Sequence, residues 1–205
     1  RLLDISSPKF LTFYYAFTHQ NLVNADVDDY FVPDFETFHR VFGTHTEIQI
    51  FKDGELPLGE ESLDKVFSVS VLEHIADEGD RRLCQEVARV LAPGGVFVVT
   101  LPAASEYFEE WQKEKRFYWD TVQNEAGEHF YQRRYDEAAV RDRLSVPGMQ
   151  MAELVFIAER PLEATCFDDN GMWMHNNYFI EDLASVRVAR SRWLKCLPML
   201  PYYAY

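Results

Sequence analysis

Acidic residues stand at the ends of three successive apolar runs of this sequence: Asp4, Asp26 and Asp53. A carboxylate that is partly desolvated at such a position needs a partner, because burying an unpaired charge costs free energy. A ligand that carries several hydroxyl groups or an amine would supply that partner. A fourth run ends in Ser-Val-Leu-Glu-His, residues 70–74, which adds a glutamate carboxylate and a histidine imidazole. We therefore expect a polar ligand site where these runs end.

The spacing of the first two carboxylates suggests what that ligand contains. Asp26 follows Asp4 by 22 residues (26 − 4). In dinucleotide-binding folds, a carboxylate about 20 residues after the first motif binds the ribose hydroxyls. One carboxylate can accept hydrogen bonds from both hydroxyls of a ribose. The alternative is that Asp26 caps a helix that starts near Asp28 and Asp29, and the spacing alone leaves both interpretations open.

These positions require strands that alternate with helices. Apolar runs predict strands over residues 2–5, 21–27, 48–51, 63–71, 96–101 and 151–158. Helical spacing of apolar residues predicts helices over residues 9–19, 80–91, 135–144 and 180–194. This alternation predicts an α/β fold, a Rossmann-like three-layer sandwich with a mostly parallel sheet. In such a sheet, ligands bind beyond the carboxyl ends of the strands.

Length and composition limit the remaining possibilities. The chain has 205 residues, 47% of them hydrophobic, which suits a single domain over residues 1–205. Within it, the aromatic-rich residues 103–130 predict an insertion or lid, and residues 161–205 a C-terminal extension. The net charge of −14 argues against nucleic acid and anionic membrane surfaces as partners. The apolar tail is a candidate surface for a homo-oligomer.

The cysteines and the termini bear on location. Three cysteines without a Cys-x-x-Cys pair argue against a disulfide framework and a zinc site, and favour a reducing cytoplasm. No apolar run is long enough to span a bilayer. Cys166, Asp168, Asp169 and His175 lack the spacing of a metal site, so we expect no metal. Because the chain begins with Arg1 directly before a strand, we expect residues upstream of it.

Residues 52–102 resemble the central part of class I S-adenosylmethionine-dependent methyltransferases. In that family an acidic residue and Leu-Pro follow the third strand, Phe-Asp or its like opens the fourth, Leu-Glu-His ends it, and Arg-Val-Leu-x-Pro-Gly-Gly leads into the fifth. The corresponding segments here are Asp53 with Leu56-Pro57, Leu63-Asp64, Leu72-Glu73-His74 and residues 89–95. Four motifs in register are much more specific than any one of them. With the first two strands, the resemblance covers residues 1 to about 160.

The resemblance implies S-adenosylmethionine as cofactor and a role for each strand-end residue. It implies Asp26 and Val27 at the ribose, Asp53 and Gly54 at the adenine, Ser70 and Val71 at the methionine part, and Glu73 and His74 at the methyl group or the acceptor. The segment Pro93-Gly94-Gly95 has a structural role in this family, as a turn into the fifth strand.

The loop after the first strand departs from the family pattern. The family has glycines where Ser6, Pro8 and Phe10 stand, because backbone there approaches the ligand closely and adopts positive φ. One interpretation is that Ser6 and Ser7 bind the cofactor's carboxylate through their hydroxyls while Pro8 occupies the first helical turn. The other is a closed loop in a non-catalytic relative. Because all three acidic residues are retained, Asp4 included, we favour binding.

For the chemistry, the resemblance predicts transfer of a methyl group to a small-molecule acceptor, with oxygen favoured and nitrogen or carbon left open. His74 is the candidate general base, with a pKa near neutrality, and His129 is a second candidate. The alternative for His74 is a helix-start residue bonded to backbone, and for His129 a surface residue. The rival functions are a non-catalytic binding or scaffold domain and, less favoured without the glycines, a nicotinamide-dependent oxidoreductase.

Overall fold

A computed structural model of the chain describes residues 1–19, 21–51, 54–115 and 122–156. Five parallel strands form the main sheet: β1 Leu2–Ile5, β2 Leu22–Asp26, β3 Glu47–Ile50, β4 Leu63–Val69 and β5 Leu91–Thr100. Their order is β3-β2-β1-β4-β5. The order reverses between β1 and β4, and this is where an open α/β sheet forms its ligand crevice. The predicted α/β class is confirmed.

Helices follow the strands and cover the sheet. They are α1 Lys9–Ala16, α2 Val32–Phe42, α3 Gly79–Val90 and α4 Glu137–Arg143, with a short 3-10 helix at Leu72–His74. Two further strands, β6 Phe108–Gln112 and β7 His129–Arg134, form a separate antiparallel pair. The predicted helix positions for α1, α3 and α4 are confirmed to within a few residues.

The core divides between the two faces of the sheet. On one face, Leu3 and Ile5 pack in a cluster with Leu83 and Val87 of α3. On the other, residues that alternate with these, such as Leu2, pack with α1 and α2. Because side chains of a strand point alternately to opposite faces, β1 and β2 are buried along their whole length.

The segment Pro93-Gly94-Gly95 lies at the irregular start of β5. α3 ends at Val90, and the pairing of β4 with β5 shifts register between Leu63 and Lys65. A Cβ on Gly95 would lie 2.8 Å from Leu91 Cδ2 and 2.9 Å from the Ala92 carbonyl oxygen. The position therefore requires glycine for close packing of the backbone.

One sequence prediction gains detail here and one needs correction. The aromatic stretch 103–130, for which an insertion or lid is predicted, contains β6, so Phe108 and Trp111 lie on a strand. Residues 151–156 form no strand, because within the described part of the chain no neighbouring strand pairs with them. The predicted helix over 180–194 lies outside the described residues.

The chain divides into two compact units, Arg1–Ala152 and Glu153–Tyr205. The first holds all the helices and strands named above. Of the second, residues 153–156 are described, and they have no regular secondary structure. The single-domain organisation stays a prediction. Among the described residues, every helix is too short or too polar to cross a membrane.

Candidate functional site

The predicted site residues lie at the carboxyl ends of adjacent strands. β1 pairs with β2 on one side, where Ile5 is opposite Ala25, and with β4 on the other, where Asp4 is opposite Phe67. The segments after Ile5, Asp26 and Val69 therefore leave the sheet at the same edge. This is the edge at the reversal point of the strand order, where the sequence analysis expects the ligand.

Ser6 adopts the backbone conformation that glycine would adopt in the family pattern. Its φ is +48°, in the left-handed region that L-residues rarely occupy. Two contacts with the Ala25 carbonyl oxygen hold it there: the Ser6 N–H donates at 2.9 Å and the hydroxyl donates at 3.2 Å. The loop thus keeps its turn without glycine, and the Ser6 hydroxyl is committed to the protein backbone.

Ser7 and Pro8 connect the loop to its surroundings. The Ser7 hydroxyl is buried and accepts a hydrogen bond from the Val69 N–H at 2.9 Å, which joins the ends of β1 and β4. Pro8 precedes α1 as its cap residue, and its carbonyl accepts from the Leu11 N–H at 2.9 Å. Pro8 therefore lies one residue before the first helical turn, where the sequence predicts it. The buried Ser7 hydroxyl holds the loop against the end of β4.

Asp4 is fully buried and faces α1. Its carboxylate accepts hydrogen bonds from the Thr12 hydroxyl, from the Ser7 N–H at 3.2 Å and from Asn24 Nδ2 at 3.2 Å. Burial raises the pKa of Asp4, and the Thr12 hydrogen bond opposes that rise. Both side chains are buried and hold the loop. Direct cofactor contact by Asp4 and Ser7 stays a prediction.

Asp26 is 6% exposed and forms an ion pair that the sequence analysis missed. Its Oδ2 contacts the ammonium of Lys9, at the start of α1, and its Oδ1 accepts from the Val27 N–H at 2.8 Å. The Lys9 Nζ also lies 3.9 Å from the centroid of the Phe31 ring. The signal for this ion pair in the sequence is the basic residue Lys9 directly after the loop.

Asp26 does not cap a helix, which resolves the alternative left open by its spacing. α2 begins at Val32, after Phe31. The side chain that stabilises the turn before α2 belongs to Asp28, whose Oδ1 accepts from the N–H groups of Asp29 at 2.6 Å and Tyr30 at 3.1 Å.

The remaining predicted cofactor contacts follow strands of the main sheet in the chain. The Val27 side chain is exposed. Gly54 has φ of +79°, a conformation that favours glycine. Asp53 lies outside the described residues. Ser70 directly follows β4 with φ of +56°, and its N–H donates to the Thr100 carbonyl at 3.3 Å.

Glu73 is a buried carboxyl group next to this edge. It is 1% exposed, and its Oε2 has no hydrogen-bond partner among the described residues. Burial raises the pKa of Glu73 to about 7, and hydrogen bonds from its own backbone and from Ser70 oppose the rise. The group therefore holds a proton over much of the acidic and neutral range.

His74 is held in one tautomer by β7. Its Nδ1 donates to the Tyr131 carbonyl oxygen at 2.8 Å, and because a carbonyl only accepts, the ring proton must be on Nδ1. Burial lowers the pKa of His74, which keeps the ring neutral at pH 7. The neutral ring then presents Nε2, 3.9 Å from Glu73 Oε1, as a hydrogen-bond acceptor. This is the state that a general base requires.

His129 lies on the same strand as the residue that orients His74. It is half-buried at the start of β7, and its Nε2 lies 3.1 Å from Gln123 Nε2. The pairing of β6 with β7 shifts register between Glu110 and Trp111, and Tyr131 lies in the resulting bulge of β7. The Tyr131 ring centroid lies 5.5 Å from that of His74.

A buried ionic network fixes β7 and α4 to the segment that follows His74. Arg133 of β7 has no exposed surface and donates to the carbonyl oxygens of Ile75 and Asp77. Asp80, also buried, accepts from the Tyr135 hydroxyl at 2.9 Å and from Arg143 Nε at 2.7 Å. Burial raises the pKa of Asp80, but the hydrogen bonds and charges around it lower that pKa by more. The sequence analysis did not identify this network.

Comparison with known families and structures gives several matches. Residues 3–99 match the family model described as a methyltransferase domain. A methyltransferase dependent on S-adenosylmethionine from Clostridium acetobutylicum is 18% identical with a TM-score of 0.51, and the match covers 70% of each chain. The YcgJ protein from Bacillus subtilis is 24% identical with a TM-score of 0.45, and the match covers 51% of this chain and 44% of YcgJ.

A third structure is the 1,6-didemethyltoxoflavin N1-methyltransferase from Burkholderia thailandensis, with bound 1,6-didemethyltoxoflavin and S-adenosylhomocysteine. It is 16% identical with a TM-score of 0.51, and the match covers 70% of this chain and 57% of that enzyme. The chain thus spans less than two thirds of the length of YcgJ and of the Burkholderia enzyme. At these identities the structures establish the fold. Among curated proteins there is no match.

Proposed function

We propose a small-molecule O-methyltransferase, starting from the family: residues 3–99 of this chain belong to the class I S-adenosylmethionine-dependent methyltransferases. The cofactor of that family supplies a methyl group activated on a sulfonium. The residues at the edge of the sheet fit such a ligand, because the turn at Ser6 and the turn at Ser70 both keep the left-handed backbone that brings a loop close to a ligand.

Asp26 is the residue that would bind the ribose. Both of its oxygens already have one partner each, Lys9 and the Val27 N–H, but a carboxylate has about four acceptor positions. Two positions therefore remain for ribose hydroxyls. Asp53 and the backbone of Gly54 would hold the adenine, and Ser70 and Val71 would line the methionine part.

The observation that carries the acid–base part of the proposal is the hydrogen bond from His74 Nδ1 to the Tyr131 carbonyl. It holds the ring with Nε2 as acceptor, at the edge of the sheet where Asp26 also lies. A hydroxyl acceptor loses its proton when it is methylated, and His74 would take that proton. Glu73 and His129 are proposed to orient the acceptor beside it.

The acceptor is proposed to be a small molecule with oxygen as the methylated atom, while nitrogen and carbon stay alternatives. The net charge of −14 disfavours a polyanionic acceptor such as nucleic acid. The Burkholderia thailandensis enzyme has a small heterocycle bound, which supports a small acceptor, but that enzyme is an N1-methyltransferase and so acts at nitrogen. A reducing, cytoplasmic location and a homo-oligomer through residues 161–205, outside the described residues, are further proposals.

Isothermal titration with S-adenosylmethionine and S-adenosylhomocysteine tests cofactor binding. We expect micromolar affinity for both, and at least a tenfold loss in Asp26→Ala, because the ribose loses an acceptor of hydrogen bonds to a charged group. The matched control is Asp29→Ala, which removes an exposed carboxylate three residues away and should leave affinity unchanged.

A non-catalytic scaffold is the second candidate, and the Lys9–Asp26 ion pair favours it, because the ribose carboxylate already has a charged partner. The same titration separates the two. If the wild type gives no heat with either ligand, and neither ligand raises its unfolding temperature, the scaffold is supported and cofactor-dependent transfer is overturned.

A further inference from the structure

We propose that Lys9 determines how the cofactor site discriminates between the sulfonium cofactor and its uncharged thioether product. This inference rests on the proposed function, since it concerns the same ribose site. Lys9 stands in the loop region where the sequence departs from its family, and nothing in the resemblance gives it a role. In the structure, its ammonium lies next to the carboxylate that would bind the ribose.

Two contacts fix the Lys9 ammonium in this position. It forms an ion pair with Asp26, whose carboxylate is almost fully buried, and it lies over the face of Phe31, 3.9 Å from the ring centroid. A cation over an aromatic ring is attracted by the ring quadrupole. Lys9 begins α1, so its backbone is also held by the helix. The ammonium has three donors, and one of them is free to follow a ligand hydroxyl.

The ion pair changes the net charge that a ligand meets. Asp26 alone would present one negative charge to the ligand, and this would favour a sulfonium over a neutral thioether. With Lys9 paired to it, the two charges cancel to first order. The sulfonium is joined to the ribose through one methylene, which puts it within about 8 Å of this pair, close to the Debye length at physiological salt. The charge of Lys9 therefore acts on the charged sulfonium, whereas the thioether sulfur carries no charge on which it could act.

The two ligands share their ribose and adenine, so the ratio of their dissociation constants isolates the charge effect. A change in ribose binding alters both constants equally and cancels in the ratio. In the wild type, the ratio of the constant for S-adenosylmethionine to that for S-adenosylhomocysteine is raised by Lys9. One consequence is strong inhibition of the wild type by the thioether product.

The experiment measures both dissociation constants by isothermal titration for the wild type and for Lys9→Met, Lys9→Arg, Asp26→Asn and Lys65→Met. We expect Lys9→Met to lower the ratio about three- to tenfold, since a unit charge acts across about 8 Å. Lys9→Arg keeps the charge and should keep the ratio. Asp26→Asn should raise the ratio even where it weakens both ligands. Lys65 is exposed on β4 and pairs with Leu2 at the opposite end of the sheet, so Lys65→Met should change nothing.

Each outcome decides the proposal. Equal changes of both constants in Lys9→Met would overturn it, and would make Lys9 a simple competitor for Asp26. An unchanged ratio in all variants would overturn it as well, while leaving cofactor binding intact. If no protein binds either ligand, the proposed function itself is overturned, and the inference with it. Thermal unfolding of each variant shows whether a loss of affinity comes from a loss of folding. If Lys9→Met does not fold, Asp26→Asn carries the test, because the proposal requires it to raise the ratio.

Discussion

At the scale of single residues, two of the four described non-glycine residues with positive φ lie where the ligand is expected. Ser6 and Ser70 both have positive φ, and they follow the adjacent strands β1 and β4. For residues other than glycine this conformation costs roughly 1–2 kcal/mol. Such strain is tolerated where the surrounding structure holds it, and it is common at functional sites. The missing glycines of the first loop therefore do not imply a different loop conformation.

Glu73 links this edge of the sheet to the pH dependence of stability. Its pKa rises from an ordinary value of 4.5 to about 7 because the group is buried. Between these two values the folded protein holds the Glu73 proton while the unfolded chain releases it. The contribution of Glu73 to the free energy of unfolding therefore falls as the pH rises from 4.5 to 7. Above pH 7 the loss of stability from the buried charge is complete.

Glu73→Gln removes this ionisation. We expect the variant to gain about 1–3 kcal/mol of stability relative to the wild type between about pH 5 and pH 8, because the amide pays no cost of burying a charge. Urea denaturation at both pH values measures the gain. Glu106→Gln, at an exposed position, is the control and should show no such change. A stability difference between Glu73→Gln and wild type that is independent of pH would contradict the assignment.

At the scale of elements, the two-stranded sheet β6–β7 is what makes His74 a candidate base. The Tyr131 carbonyl on β7 selects the tautomer, and Arg133 on the same strand is bonded to the segment directly after His74. Arg133 is fully buried and donates to the carbonyl oxygens of Ile75 and Asp77, and the Asp77 carbonyl also accepts from Arg143 Nη2 at 3.2 Å. A buried acceptor that loses its donor costs more than the hydrogen bond itself contributes.

Arg133→Met should destabilise the protein by about 3 kcal/mol, because the Ile75 carbonyl loses its donor and the buried Asp80 carboxylate loses a nearby positive charge. Arg134→Met is the matched control on the next residue. Arg134 is partly exposed and pairs with Glu110, so its loss should cost less than about 1 kcal/mol. Chemical denaturation of both variants measures the difference. Equal losses would mean that Arg133 is not a specific anchor of β7.

At the scale of the whole molecule, charge is strongly unbalanced. The chain has 34 acidic side chains and 20 basic ones from lysine and arginine. A net charge far from zero destabilises a compact state through repulsion. Exposed local ion pairs such as Arg141 with Glu137 act in the opposite sense, because salt screens them. The sign of the salt dependence therefore reports which effect dominates.

We expect repulsion to dominate. Raising the ionic strength from about 0.01 M to about 0.15 M shortens the Debye length from about 30 Å to about 8 Å. The resulting gain of about 1 kcal/mol corresponds to a rise of about 2–4 °C in unfolding temperature for a chain of this size. Differential scanning fluorimetry in sodium chloride and in potassium chloride should give the same rise. A fall in both salts would show that ion pairs outweigh repulsion.

Much of the fold was predictable because its signals are local. The strands at Leu2–Ile5 and Leu63–Val69 and the helix at Gly79–Val90 were predicted from apolar runs and helical spacing, and their positions are confirmed. The resemblance to class I methyltransferases, based on four motifs, is confirmed by the family model over residues 3–99. The added segments were predicted poorly. For residues 103–130 the sequence predicts an insertion or lid without naming the strand β6, because the aromatic and charged residues of β6 lack a clear alternation.

By itself, the sequence determined the α/β class, the resemblance to methyltransferases and the strand ends where the site residues lie, because apolar runs and motif spacing are set by residues close in the chain. Only the tertiary structure decided how deeply those residues are buried and which partners they have. Asp4 and Ser7 are buried, and Asp26 is paired with Lys9, which lies 17 residues away in sequence. The proton on His74 Nδ1 depends on Tyr131, 57 residues away. Burial and hydrogen-bond partners of this kind come from packing between distant segments, and no local pattern carries them.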